Sequence, residues 1–502
     1  MQKTDEELKK EILNFLKENK GRVFYLDEPQ SDEQTKQLDF LKKHLSEMVA
    51  RGEIIAKNTD RGTEYSIPDP NKNRSLKINL MILILAIIVS LILGEIVMRI
   101  YYVKKNWVVG IDEEEKCNRE TYRILINPGS ANRFSPQQLM FHEYWNYSSV
   151  RPVANFKGNI IYYAKDGKRV LFYDDPTNSQ HMRGFKDYSY IKPPNTTRIV
   201  VLGDSFAWGD EFPVRFSFPA VLELLIPSSE VLNMAIRGTG IDNMYLRWKY
   251  DALNYHPDVV IFSIYVGDIA RVRPCIFKPK FKIKNGKLEI SNLPPPKLED
   301  IFKNYKPPKI ESVLFKHMIY NIRYAGGIEE KMYDYGLGIL NLILDEMNSK
   351  SKEENTYLLV LLIPEANNNP ITPLRNRVIE EVKNSLKEKN IPYVDSRGIF
   401  AKESYDLTEE NNMLSFDKGR KVGHFTPRGY AYIAQGIKNN LEEAGLIRKI
   451  KDFYFIWNQN NYRLLVQDKQ DSSNTFEIIP YDIIPDNLND SEVPHVEVWR
   501  QK

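Results

Sequence analysis

Leu80 to Leu93 is apolar at every position except Ser90. The apolar character extends from Ile78 to Val103, with Asn79, Gly94, Glu95 and Arg99 as its main interruptions. Any fold for this chain must bury that run or surround it with lipid. A helix of roughly 20 residues crosses the hydrocarbon of a bilayer, and residues 78–103 supply enough. Glu95 and Arg99 stand one helical turn apart and can pair on one face. Arg99 can also extend its charge toward the interface. Tyr101, Tyr102 and Trp107 then resemble an interfacial aromatic belt. The expectation is one membrane span over 78–103, in preference to a long buried helix of a soluble domain. A cleaved signal peptide fits poorly, because a long polar stretch precedes the run and no small-residue cleavage site follows it.

The span divides the chain. At 502 residues the protein should hold more than one domain. With 70 basic and 67 acidic residues, the net charge of +3 gives no whole-chain case for nucleic acid. The two cysteines, Cys117 and Cys275, are too few for a disulfide framework and lack zinc spacing. One disulfide would be compatible with an extracytoplasmic location.

Residues 1–68 read as a small module on the N-terminal side. Leu8, Ile12, Phe15 and Leu16 share one helical face, as do Leu38, Leu41, Leu45, Met48 and Val49. Gly52 to Ala56 and Glu64 to Ile67 can pair as strands around Asp60-Arg61-Gly62. Helices followed by a hairpin resemble a winged helix. Residues 1–70 hold 12 Lys/Arg against 15 Asp/Glu, however. Phosphate neutralisation needs the opposite sign, so the charge speaks against DNA binding; a protein-interaction module, or a structural leftover of the fold, fits better. Asp69 to Lys77 is a polar linker into the span.

Beyond the span, 104–197 is rich in aromatics, Pro and Gly and reads as a β-rich lead-in. Asn159–Tyr163 and Arg169–Tyr173 are strands joined through Lys165–Lys168. From 198 to 446 the pattern becomes α/β. Strands are expected at Ile199–Leu202, Glu230–Asn233, Val259–Ile264, Tyr357–Ile363 and Tyr393–Asp395. Helices between them are expected at Pro219–Leu225, Met244–Leu253, Leu337–Met347, Val378–Lys387 and Tyr430–Glu443. Alternation of this kind builds a parallel sheet covered on both faces. An insertion over 274–336 contains a hairpin around Asn285-Gly286 and sits where a lid, or mere surface decoration, would be placed. Residues 447–502 form a β-rich tail.

The chemistry concentrates after the first strand of the α/β segment. Arg198 to Leu202 runs into Gly203-Asp204-Ser205-Phe206, which places a serine just past a strand end. A serine hydroxyl is a poor nucleophile until a base takes its proton. Of the 7 histidines, His424, in Gly423-His-Phe-Thr-Pro-Arg-Gly429, has the context of that base. The sequence lacks a P-loop, a dinucleotide fingerprint and HExxH. Gly203 to Ala207 also lacks the second glycine of the lipase elbow.

These blocks resemble the SGNH/GDSL hydrolases, specifically their membrane-anchored bacterial members, over about residues 85–446. The resemblance runs through Leu91–Arg99, His181-Met-Arg-Gly184, Tyr190–Pro193, Arg198–Phe206, Val231–Gly240, Pro257–Ile261 and the His424 block. It implies a three-layer αβα flavodoxin-like domain that hydrolyses or transfers an O-acyl group. The expected substrate is an acylated glycan, a lipid or a small ester, with no cofactor and no metal. Ser205 matches the nucleophile and His424 the general base. Gly238 matches the oxyanion glycine, beside the N–H of Ser205 itself. The resemblance and the near-balanced flanking charges (Lys72, Arg74 and Lys77 before the span; Arg99, Lys104 and Lys105 after it) favour a cytoplasmic N-terminus and an extracytoplasmic hydrolase domain.

Two positions depart from the family. Gly267, in Tyr265-Val-Gly-Asp268, stands where an oxyanion asparagine is expected. Val422 and Lys421 stand where the acid partner of the histidine is expected; Asp417, the nearest acid on the loop, could reach back to fill that role. Without an acid the site is a Ser-His dyad, and losing that partner costs about 10⁴ in turnover in serine proteases. Two other readings therefore remain open. One is a weak or inactive SGNH-derived binding module; the other is a transmembrane signalling protein that uses its N-terminal module. Oligomeric state is not legible.

Overall fold

The computed structural model describes residues 4–18, 32–59, 62–66, 70–104, 110, 112–126, 142–148, 150–157, 159–163, 169–210, 212–304, 311–325, 327–363, 372–403, 424–458, 463–479 and 495–499. Trp107, Lys165–Lys168, Asp417, Lys421 and Val422 lie outside them. The chain divides into two compact units, Met1–Val97 and Met98–Lys502.

In the first unit, helices Asp5–Glu18 and Asp32–Ala50 pack Leu16, Leu45 and Met48 against Ile54. An antiparallel hairpin follows, Ile55–Thr59 with Gly62–Ser66. The first strand starts at Ile55 and not at Gly52. Gly52, with φ of 72°, instead ends the preceding helix in a turn in which its N–H bonds Val49 O. The long helix Pro70–Lys104 contains one stretch, Ile78–Lys104, long and apolar enough to cross a membrane. None of its most apolar window is buried in protein.

The second unit is organised by a five-stranded sheet. Its spatial order is Tyr393–Asp395, Tyr357–Ile363, Val259–Tyr265, Thr197–Leu202, Ser229–Asn233, and all four pairings are parallel. The period of two assigns its faces. Ile199, Val201, Ile261, Leu359 and Leu361 pack on one side, under helices Phe218–Leu225 and Pro427–Glu443. Val200, Leu202, Val260, Phe262, Val360 and Leu362 pack on the other, under helices Ile241–Tyr250, Ile328–Glu353 and Thr372–Glu388. Burial on both faces explains why these strands read as unbroken apolar runs. In chain order the sheet is 2-1-3-4-5. Its direction of winding reverses between Thr197–Leu202 and Val259–Tyr265, which opens a crevice at their carboxyl ends.

Outside the sheet the structure adds elements that the sequence did not suggest. The β-rich lead-in also contains a helix, Glu113–Ile126, with three acids in its first turn. The insertion carries helices Leu298–Asn304 and Val313–Arg323 besides the hairpin Lys280–Lys284/Lys287–Ser291, and it ends where the helix starts at Ile328, before residue 336. The tail's described strands join the rest of the second unit. His495–Trp499 pairs in parallel with Asn159–Tyr163 of the lead-in, and Phe453, Phe455, Leu464 and Val466 join the apolar layer under Pro427–Glu443.

Candidate active site

The turn after Thr197–Leu202 leaves no room for a side chain at its first residue. A Cβ on Gly203 would lie 2.4 Å from Ala207 Cβ and 3.1 Å from Ser263 Cβ. Asp204 then caps the short helix Ser205–Trp208, its carboxylate accepting the Phe206 N–H at 2.9 Å. Ser205 is thereby held half-buried at the crevice.

The helix behind Ser205 is locked from below. Arg183 donates to Gly209 O and Phe212 O, each at 2.6 Å, and to Trp208 O. Asn233 donates to Ala207 O at 3.1 Å. Trp208 Nε1 donates to buried Asp175 at 2.8 Å, and Arg237 bonds Asp175 at 2.6 Å while also bonding Asp210. These are functional supports that sequence reasoning passed over. The His181–Gly184 block was legible as a motif, but nothing in it disclosed that Arg183 ties the strand-to-helix turn.

His424 lies beside the serine. Its Nε2 is 2.7 Å from Ser205 Oγ, within the reach required for proton transfer. The imidazole is seated on aromatic rings: Phe206 is 4.7 Å away, Phe206 and Phe425 are 5.1 Å apart, and Phe400 backs Phe425 at 5.2 Å. Thr426 caps the helix that follows. Asp210 is close enough for its carboxylate to feel the charge of His424, and burial raises its pKa. Asp417 is outside the described residues.

Gly238 has φ of 69°, a left-handed backbone that favours glycine. Its loop is tied to the Ser205 turn, since Ile236 N–H donates to Gly203 O at 2.9 Å. Gly267 is different. A Cβ there would lie 2.5 Å from Cε1 of Tyr265. The Tyr265 ring stacks on Phe206 at 4.9 Å, and its hydroxyl accepts from Arg375 at 3.1 Å. Any side chain at 267, an asparagine included, would have to displace the Tyr265 ring.

Asp268, the next residue, does not reach the serine through any described bond. It accepts from Tyr265 N at 3.0 Å and pairs with Arg271. Arg271 Nη1 also donates to Asp204 Oδ2 at 3.0 Å and Thr239 O at 3.2 Å. One guanidinium thus ties the Ser205 turn, the Gly238 loop and the Asp268 helix together. Burial, followed by the charge of Asp204, raises the Asp268 pKa well above its ordinary value. Arg271 stands three residues after Asp268, a helical pair spacing that could have flagged it. Among the described residues no group of three or more His, Cys, Asp or Glu side chains is arranged to hold a metal ion.

Residues 199–437 match the family model of the GDSL-like lipase/acylhydrolases. This domain is a GDSL hydrolase. GDSL hydrolases are serine esterases that act on ester bonds. A G-D-S-L family lipolytic protein from Veillonella parvula is similar at 12% identity and a TM-score of 0.30, covering 49% of this chain and 97% of its own. An acetylxylan esterase from Geobacillus stearothermophilus is similar at 16% identity and a TM-score of 0.31, covering 51% of this chain and 97% of its own. No curated protein matches the chain. Within the GDSL domain, Ser205 and His424 come together across 219 residues of sequence. Gly238 lies on the loop whose Ile236 N–H bonds Gly203 O, and Gly267 stands at the position where the resemblance leads one to expect an asparagine.

Proposed function

We propose that the GDSL domain cleaves or transfers an O-acyl group through an acyl-Ser205 intermediate, on a chain anchored in the membrane by residues 78–103. His424 takes the Ser205 proton as the hydroxyl oxygen attacks the ester carbonyl. The N–H groups of Ser205 and Gly238 receive the oxyanion that develops. Collapse of the tetrahedral species breaks the bond to the alcohol, which leaves with the proton held by His424. Water, or a second alcohol, repeats the sequence and frees the serine. The 2.7 Å contact between Ser205 Oγ and His424 Nε2 carries this reading.

The catalytic domain lies outside the cytoplasm. Cys117 and Cys275, 158 residues apart, form a disulfide, and such bonds persist in oxidising compartments. Residues 1–68 remain on the cytoplasmic side as a protein-interaction module. Acetylated oligosaccharides are the first substrates to try, alongside 4-nitrophenyl acetate. Wild-type full-length chain should release acetate, and Ser205→Ala should release none above the uncatalysed rate. Equal turnover by both chains would refute the nucleophile assignment.

Gly267 favours one second reading, a slow enzyme. Each oxyanion donor is worth about 10²–10³ in rate, so the same assay should return turnover well below that of asparagine-bearing relatives.

A further inference from the structure

The insertion helix Val313–Arg323 is amphipathic in the wrong sense for a surface helix of a soluble domain. Its polar face is turned inward and paired. Lys316 pairs with Glu115, and with Glu311 at 3.0 Å. Tyr320 donates to Glu113, and Arg323 pairs with Asp112 at 2.8 Å. Just past the helix end, the Tyr324 hydroxyl accepts the Glu113 N–H at 3.1 Å. All of these partners except Glu311 lie on or at the start of helix Glu113–Ile126. Its apolar face is turned outward: Phe315 is 61% exposed, Met318 50% and Ile322 69%. Spaced at i, i+3 and i+7, they form a single stripe. An outward apolar stripe of this kind marks an interaction surface.

The last turns of the long apolar helix fix where the stripe sits. Arg99 donates to Glu311 O, and the Tyr102 hydroxyl lies 2.9 Å from His317 Nδ1. An arginine and a tyrosine at the end of a membrane span belong at the lipid–water interface. Their partners are the residue two before the helix and a residue within its second turn. The stripe is therefore held at the depth where the span leaves the hydrocarbon.

We propose that Val313–Arg323 lies in the outer interface of the same bilayer, with Phe315, Met318 and Ile322 entering the headgroup–acyl boundary. This rests on the membrane-anchor reading above. A helix of 11 residues lying flat covers about 16 Å, and such helices bind by immersing one apolar face. The protein has two contacts with the membrane, a span and a flat helix. The Cys117–Cys275 disulfide ties helix Glu113–Ile126, on which the flat helix rests, to the segment following Arg271. The inserted helix thus fixes how the GDSL domain stands on the lipid surface.

Both native cysteines are consumed by the disulfide, so single cysteine substitutions can be labelled uniquely. Full-length chains carrying Ile92→Cys, Met318→Cys or Lys282→Cys are labelled with a nitroxide. They are then reconstituted into phosphatidylethanolamine/phosphatidylglycerol vesicles. Collision rates with oxygen, which concentrates in lipid, are compared with those of a water-soluble nickel chelate. The oxygen-to-nickel ratio at 318 should exceed that at 282, on the exposed hairpin, by several-fold and approach that at 92. A water-like ratio at 318 with a lipid-like ratio at 92 overturns the proposal and leaves the span intact. Low collision rates with both reagents at 318 mean that protein, such as a second copy of the chain, covers the stripe, which also overturns it. A water-like ratio at 92 removes the anchor reading, and this proposal with it.

Discussion

At the scale of single residues, the proposed site is a serine and a histidine, with an aromatic ring crowding the position where an asparagine is expected. His424→Ala should lower turnover at least about 10⁴-fold, because the serine loses its base. Gly267→Asn should not improve the enzyme. Its Cβ would press into the Tyr265 ring, and overpacking of this kind costs about 1–3 kcal/mol. In a Tyr265→Ala background that penalty should shrink. Urea midpoints of the four chains in a double-mutant cycle measure the coupling, and additive effects would show that the ring is not the obstacle. That Ser205 and His424 would come together was legible because each stands in a short motif. Tyr265 was not, because nothing in Tyr265-Val-Gly-Asp268 says that the first side chain folds back over the third residue.

At the scale of elements, the strand-to-helix turns carry the chemistry, and buried charge holds them. The Asp268 pKa is raised by burial first and by the neighbouring Asp204 carboxylate second. A carboxyl with a raised folded-state pKa binds its proton more tightly when folded. Stability is therefore greatest at low pH and falls as pH rises from the unfolded value toward the folded one. Asp268→Asn, which keeps shape and hydrogen bonding without ionising, should flatten that fall. Urea unfolding at pH 5 and pH 8 checks this: a pH dependence as steep as that of wild type would contradict the assignment. Arg271→Ala should cost both stability and turnover, since it leaves Asp204 and Asp268 buried without their cation. Melting temperature and turnover, read together, test it. The five strands were legible almost to the residue because both sheet faces are buried and each strand is a plain apolar run. Helix Val313–Arg323 escaped because its polar side faces protein and its apolar side faces out, so periodicity alone gave no orientation. Glu113–Ile126 escaped because its stabilising partners come from about 200 residues away.

At the scale of the molecule, long-range closures tie the second unit together. The lead-in and the tail share a sheet, and the single disulfide spans 158 residues. Closing a loop of that length stabilises by at most about 5 kcal/mol in the chain-entropy account. Cys117→Ser should therefore lower the melting temperature of the second unit by several degrees or more, and dithiothreitol should do the same to wild type. An unchanged transition would mean that the bond constrains nothing. The pairing was compatible with the sequence but not derivable from it, since two cysteines say nothing of their distance in space.

The central claim is that Ser205 is a nucleophile activated by His424. The most direct test is covalent capture with a fluorophosphonate, read by intact mass and peptide mapping of the full-length chain in detergent. Wild type should gain one adduct, mapped to Ser205. His424→Ala should react at least a thousandfold more slowly, and Ser205→Ala not at all. A folded wild-type chain that stays unlabelled, or an adduct that persists in Ser205→Ala, would contradict the account.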